Sequence, residues 1–155
     1  IEPMPAANIL AIIGGVSILG RISMGRLSDH IGAKGALIIC VGLFSASIFS
    51  LMPIKELWQF YLFAILFGFA YGGSVPQYPS LTAKLFGTKN VGKLFGIALL
   101  MATVGSAIGS LLGGRIYDLT NSYRLAFFIG GITLAIATIM CLGLKTTTYK
   151  PDKVN

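Results

Sequence analysis

The hydrophobic positions of this sequence form five long runs that contain no Asp, Glu, Lys or Arg. Each run is 18 to 27 residues long, which is enough for a helix to span a hydrocarbon core of about 30 Å at 1.5 Å per residue. None alternates like a membrane β-strand, and lipid offers no partner to open backbone groups, so we expect helices. The predicted helices cover about residues 4–27, 35–54, 57–83, 92–116 and 124–145, with a tail at 146–155.

The composition supports a membrane protein rather than a soluble one. Hydrophobic residues make up 55% of the chain and charged residues 11%, whereas a soluble domain has about 45–50% and 25%. The mean hydropathy is +0.82. We therefore expect an all-α membrane protein whose main surroundings are the lipid bilayer.

The basic residues indicate an orientation in the membrane. A net charge of +7 would suggest a nucleic-acid partner if it formed one solvated face, but these residues lie in short loops between apolar runs. If the first helix runs inward, nine of the twelve basic residues fall on one side. The positive-inside rule then places the C-terminus in the cytoplasm, and we expect the plasma (inner) membrane.

The start of the chain suggests a piece of a longer protein. It opens with Ile1, Glu2 and Pro3 rather than Met, and it has an odd number of predicted helices with the amino end outside. No signal-peptide pattern precedes the first run. We expect further N-terminal helices of the same protein to be partners of this segment.

Two helices carry glycine or proline in patterns that affect packing. In the fourth, Gly105, Gly109 and Gly113 recur every four residues, which permits close approach of another helix. In the third, Gly72-Gly73 is followed by Pro76 and Pro79, which predicts a kink or local unwinding. Such a break either lines a cavity or is absorbed by neighbouring helices.

The segment 25–34, GRLSDHIGAK, resembles the signature loop of the major facilitator superfamily. The resemblance implies a twelve-helix transporter in which this loop latches two helices during the alternating-access cycle. His30 and Ala33 stand where the family usually has basic residues, so the latch is expected to be weaker here. From the residues alone, Asp29 can also cap a helix start or pair with a basic neighbour. The candidate gating-loop residues are Gly25, Arg26, Asp29, Gly32 and Lys34.

The arginine that precedes this loop indicates which subfamilies the chain resembles. Arg21, followed by Ser23, Met24 and Gly25, is similar to the eighth helix of monocarboxylate porters and oxalate–formate antiporters, where an arginine binds the substrate carboxylate. Segments 72–73, 81–87, 95–96 and 113–118 also look like the tenth and eleventh helices of those carriers. The resemblance implies that the five predicted helices are helices 8 to 12, a partial six-helix bundle in the C-terminal half. Placement as helices 2 to 6 has the same helix count and a similar loop, but the short basic tail favours the C-terminal half.

Arg21 is the main candidate for substrate binding. It lies about 12 Å deeper than Asp29 on a continuous helix, and a guanidinium inside a bilayer is costly unless it faces a wet cavity or snorkels to headgroups. It therefore either grips a carboxylate with its planar fork or reaches a lipid phosphate. Spacing and resemblance add further candidates to the site. The complete set is Arg21, Ser17, Tyr71, Ser74, Tyr78, Ala102 and Ser106.

Several of these residues bear on the substrate and on coupling. Proton-coupled monocarboxylate carriers often have an aspartate where Ser17 stands, and some oxalate carriers have a second cation where Ala102 stands. One buried cation suits a monoanion. We expect a secondary transporter, antiporter or symporter, for a small organic anion, with a monocarboxylate favoured. The alternatives are a transporter-like membrane sensor or assembly partner, or an inactive truncated fragment. The sequence shows no enzyme, metal or cofactor motif.

Overall fold

The computed structural model describes residues 3–52 and 56–143. The helices in this part are α1 (Pro3–Ser50), α2 (Leu57–Ser74), α3 (Gln77–Phe86), α4 (Val91–Thr120) and α5 (Arg124–Gly143), with a 3₁₀ turn at Thr88–Asn90. No strand occurs among the described residues. Four stretches are long and apolar enough to cross a membrane, so the all-α membrane fold is confirmed. The predicted tail at 146–155 lies outside the described residues.

The described residues form four long helical stretches, whereas the sequence predicts five helices, because the first two predicted helices run together in α1. The expected loop is reduced to one residue, Gly32, at φ 82° and ψ 155°. Glycine alone adopts this backbone region readily. Residues 3–31, here α1a, and residues 33–50, here α1b, are helical on either side. The gap predicted between the first two helices, residues 28–34, is thus shortened to Gly32.

The two arms of α1 fold back against one another. A Cβ added to Gly73 would lie 2.6 Å from the Met24 side chain and 2.9 Å from Cys40 Sγ. Met24 and Cys40 each stand eight residues from Gly32, so the chain reverses at this glycine. A straight helix of this length would measure about 72 Å, more than twice the hydrocarbon thickness.

The predicted third helix is divided into α2 and α3, with Val75 and Pro76 between them. Proline has no amide hydrogen and its ring clashes with the preceding turn, so the helix breaks where the sequence predicts a kink. Pro76 itself has φ −71° and ψ −17°, which lets α3 begin at once. The two pieces together form one stretch long enough to cross a membrane.

Helices α1a and α2 pack in parallel through glycines. A Cβ on Gly68 would lie 2.7 Å from the carbonyl oxygen of Ile13, and one on Gly72 would overlap the backbone of Ser17. The residue numbers rise together along both helices, which defines the parallel direction. Lipid provides no hydrophobic force between helices, so this close backbone approach supplies the packing.

α1b lies between α2 and α5 and is antiparallel to both. Phe44 meets Phe67 of α2 edge to face, with ring centroids 4.9 Å apart. On the α5 side, Ser45 Oγ donates a hydrogen bond of 3.1 Å to the carbonyl oxygen of Gly131. A buried cluster continues this contact towards the Gly32 turn. It consists of Ala33, Leu37, Val41 and Leu81.

α4 is the least enclosed helix and has no buried residue. Its end turns at Asn121, which has a positive φ of 51°, and Tyr117 stacks on Tyr123 of the following segment at 4.5 Å. A groove of about 860 Å³ runs between α4 and α5 and reaches Ile48 of α1b.

The glycine stripe of α4 borders this groove. A Cβ added at Gly105, Gly109 or Gly113 would meet no atom within 4 Å. Within residues 3–52 and 56–143 these glycines are therefore not at a close helix contact, and their packing role stays a prediction.

Candidate functional site

Arg21 lies on an open face of α1a. The contacts with α2 use Ile13, Ser17 and Gly20, whereas Arg21 is exposed and makes no hydrogen bond or ion pair with another described residue. Gly32 follows eleven residues later, about 16 Å along the helix axis. Arg21 thus lies well away from the turn, on the helix that packs against α2.

Two glycines share the face of Arg21. Gly14 and Gly25 stand seven residues before it and four after it, which is helical spacing for a common face. An added Cβ at either glycine would meet no atom of the described segments within 4 Å. The result is a shallow helix face with a single long cationic side chain.

The two candidate serines are buried and bonded within their own helices. Ser17 is 7% exposed, and its Oγ donates to the carbonyl oxygen of Gly14 at 2.7 Å. Ser74 is 2% exposed and donates to the carbonyl oxygen of Tyr71 at 2.9 Å. Each hydroxyl hydrogen is therefore committed, and only oxygen lone pairs remain for another partner.

Tyr71 and Tyr78 are the more open polar candidates on this segment. Tyr71 is 48% exposed and Tyr78 is 43% exposed. The Tyr71 ring is parallel to that of Phe67, with centroids 6.4 Å apart, and meets Phe44 edge on at 6.3 Å. These contacts hold the ring of Tyr71 against α1b.

Ala102 and Ser106 are not brought to Arg21 by the described part of the chain. Both lie exposed on α4. In this part α4 contacts α3 and α5 but neither α1 nor α2. A site that combines these residues with Arg21 needs further segments, so their role stays a prediction.

The candidate gating loop is a helix end followed by a one-residue turn. Arg26 and Asp29 are exposed in the last turns of α1a. Asp29 lies three residues before the turn, near the carboxyl end of α1a, so it does not cap a helix start. It forms no ion pair with a described residue. Gly25 is partly buried beside it.

Lys34 ties this turn to α5. Its Nζ donates to the carbonyl oxygen of Leu142 at 3.0 Å, at the carboxyl end of α5, where a cation interacts favourably with the helix dipole. A cavity of about 420 Å³ is lined by residues 31–35, Ile38, Leu81 and Lys84. The turn and the second half of α3 therefore share one basic cavity.

The sequence interpretation overlooked Gln77. This residue is 1% exposed, and its Nε2 donates to the carbonyl oxygen of Met24 at 3.1 Å. Its Oε1 is buried and has no hydrogen-bond partner in the part of the chain that the structure describes. The available signal was an amide side chain directly after Pro76 in an otherwise apolar run.

The family model described as Major Facilitator Superfamily matches residues 3–155. The chain belongs to this superfamily. The match accounts for the apolar helices and the signature loop, and it confirms the resemblance drawn from residues 25–34. The protein is an integral membrane protein of a transporter family.

The curated relatives confirm the likeness to monocarboxylate porters. The chain is 26% identical to human Monocarboxylate transporter 12 over 87% of its length and 27% of that protein. It is 29% identical to the Xenopus laevis Monocarboxylate transporter 12, over 90% of this chain and 31% of that one. It is 26% identical to rat Monocarboxylate transporter 13, over 86% of this chain and 32% of that protein.

These superfamily relatives are much longer than the chain, which spans about a third of their length or less. At this level of identity, the relatives support the family and leave the substrate open. No solved structure matches the chain.

Proposed function

We propose that this segment is part of a secondary active transporter that moves a small organic anion, a monocarboxylate, by alternating access. Three findings support the proposal: membership of the Major Facilitator Superfamily, relatives named as monocarboxylate transporters, and one arginine on an open face of an apolar helix. The position of Arg21 is the observation that carries it.

The charge of Arg21 is costly inside a membrane. A guanidinium at the centre of a membrane helix costs about 2.5–3.5 kcal/mol on insertion scales, and a carboxylate partner offsets this through two charge-assisted hydrogen bonds. Gly14 and Gly25 leave space beside the side chain for a small ligand. A single cation neutralises a monoanion and leaves a dianion with one unpaired charge.

The packing also suits a carrier that rocks between two states. At Gly68 and Gly72 the contact between α1a and α2 is backbone against backbone, so little side-chain interlocking at these points opposes a small sliding motion. In this proposal the signature loop from Gly25 to Lys34 acts as the gate. The remaining helices of the same transporter complete the cavity, and the C-terminus faces the cytoplasm from the plasma membrane.

The test is uptake by the full-length transporter reconstituted in liposomes, with radiolabelled lactate and pyruvate and a neutral amide analogue as probes. Arg21→Ala is expected to lower carboxylate uptake about 10- to 100-fold, the value of hydrogen bonds to a charged group. Arg21→Lys is expected to recover part of it, because the charge remains but the fork does not.

Arg115→Lys is the matched control, since this arginine lies exposed on α4 far along the chain from α1a. Its uptake should equal that of the parent. Equal carboxylate uptake by Arg21→Ala, Arg21→Lys and the parent would contradict the proposed role of the guanidinium. Accumulation above the external concentration distinguishes transport from binding alone.

A further inference from the structure

The break between α2 and α3 contains a buried amide whose hydrogen bonding is incomplete. Gln77 is the first residue of α3, and its side chain crosses to α1a, where Nε2 donates to Met24 O at 3.1 Å. Oε1 has no partner among the described residues. Buried polar atoms in proteins are nearly always paired, so this oxygen calls for a donor.

The orientation of the amide is determined by its surroundings. Rotating the group by 180° would place Oε1 against Met24 O, and two acceptor oxygens repel each other. Nε2 must therefore face α1a. Oε1 consequently points away from Met24 O, and a flip of the amide group would not give Oε1 a hydrogen-bond donor.

The prolines of the same short segment remove two main-chain donors, and the Tyr78 hydroxyl is already hydrogen-bonded to the Ser74 side chain. Pro76 offers no N–H to the carbonyl oxygen of Gly72, and Pro79 offers none to that of Val75. The hydroxyl hydrogen of Ser74 is committed to Tyr71 O. A molecule with two donor hydrogens and little volume matches this requirement, and water is such a molecule.

We propose that the α2–α3 break binds a water molecule that donates to Gln77 Oε1, and that Gln77 is a positioning residue for transport. The second part rests on the proposed function. Met24, which accepts the Nε2 hydrogen bond, is three residues from Arg21, so Gln77 links the start of α3 to the arginine-bearing arm. The water supplies hydrogen bonds to the break while α3 changes its angle to α2.

The water is tested directly by a high-resolution structure of the full-length transporter. Ordered solvent density is expected about 2.7–3.2 Å from Gln77 Oε1, the range of a hydrogen bond. An Oε1 that contacts only carbon atoms, or that accepts from a protein group, would overturn the water site. This outcome does not depend on whether the protein carries a monocarboxylate.

The positioning role is tested with two variants of the full-length protein. Gln77→Leu has a similar volume and removes both hydrogen bonds, of which only the one to Met24 O reaches α1a. We expect turnover to fall about fivefold, the equivalent of that one bond. Its melting temperature should change little, because the buried leucine side chain offsets the lost hydrogen bonds. A melting temperature that falls together with turnover, or an unchanged turnover, would contradict the positioning role.

Gln77→Glu gives a readout that a purely structural role would not change. Only the protonated carboxyl can donate to Met24 O, so uptake should be close to parental at low pH. Above the pKa of the introduced group, uptake should fall by up to about tenfold per pH unit, in proportion to the protonated fraction. The parent profile corrects for titratable or charged groups on neighbouring elements, namely Arg21, Cys40, Tyr78 and Cys141.

Gln59→Glu is the matched control for the charge change. Gln59 Oε1 accepts from the backbone N–H of Glu56 at 3.1 Å, a bond that an ionised carboxylate also accepts. Its pH profile should follow the parent. A pH profile of uptake for Gln77→Glu that coincides with that of the parent would overturn the positioning role. A parent protein without any carboxylate uptake would refute the proposed function. The water site would then be tested by the solvent density alone.

Discussion

Replacement of Gly68 by alanine tests whether backbone contact holds α1a to α2. A Cβ at this position would lie 2.7 Å from the carbonyl oxygen of Ile13, 3.0 Å from its Cα and 3.3 Å from its carbonyl carbon. Ordinary contacts begin at about 3.5 Å, so the two helices must separate by several tenths of an ångström. Backbone atoms cannot rotate away as a flexible side chain can.

The expected cost follows from two opposing terms. Overpacking of this kind destabilises by about 1–3 kcal/mol, whereas alanine is better than glycine in a helix by about 0.8–1.0 kcal/mol. The control Gly130→Ala on α5 gains the helix preference of alanine without overpacking, because its added Cβ would meet only Ile48 Cγ2, at 3.9 Å. The difference in unfolding free energy between the two variants should therefore be about 1–3 kcal/mol, with Gly68→Ala the weaker.

The assay is reversible unfolding of the full-length protein in mixed detergent micelles, titrated with sodium dodecyl sulfate and followed by tryptophan fluorescence. Gly68→Ala should unfold at lower denaturant than Gly130→Ala. If both variants unfold together, or if Gly68→Ala is the more stable, then α1a and α2 do not pack through this glycine and the account of the fold is wrong at this contact.

Two further substitutions test other features of the fold in the same assay. Gly32→Ala should destabilise by about 1–3 kcal/mol, because the turn uses a backbone region that is nearly restricted to glycine. The control Gly25→Ala, with no described atom within 4 Å of the added Cβ, should be neutral or slightly stabilising. Equal effects of the two substitutions on stability would refute the turn at Gly32. Ser45→Ala should lower the free energy of unfolding by about 0.5–1.5 kcal/mol through loss of the hydrogen bond to Gly131. The control Ser110→Ala loses only an exposed bond to its own helix and should cost less. A Ser45→Ala variant as stable as the parent would argue against the α1b–α5 contact.

The helices and the superfamily were predictable because their signals are local. Uncharged runs of membrane-spanning length require helices in lipid, and the motif around Asp29 is contiguous in sequence. The break near Pro76 was predictable for the same reason, since proline acts on its own turn. The length of the turn at Gly32 was not, because glycine permits both a loop and a single-residue reversal, and tertiary contacts select between them.

The site was predictable in part. Arg21 stands out because one cation in an apolar helix is unusual, and the structure adds that its face is open. Spacing did not reveal that the hydroxyls of Ser17 and Ser74 are committed to backbone carbonyls. Nor did it reveal Gln77, whose significance depends on the backbone of Met24, more than fifty residues away.

The sequence by itself thus determined the solvent, the secondary structure and the family of this protein, because each depends on composition or on neighbours within a few residues. Only the tertiary structure decided which glycines are contact points and which are open. Gly68 and Gly105 have the same side chain in similarly apolar helices, yet one lies against the backbone of Ile13 and the other against no atom within 4 Å. That difference depends on where a distant helix lies, and local patterns carry no record of it.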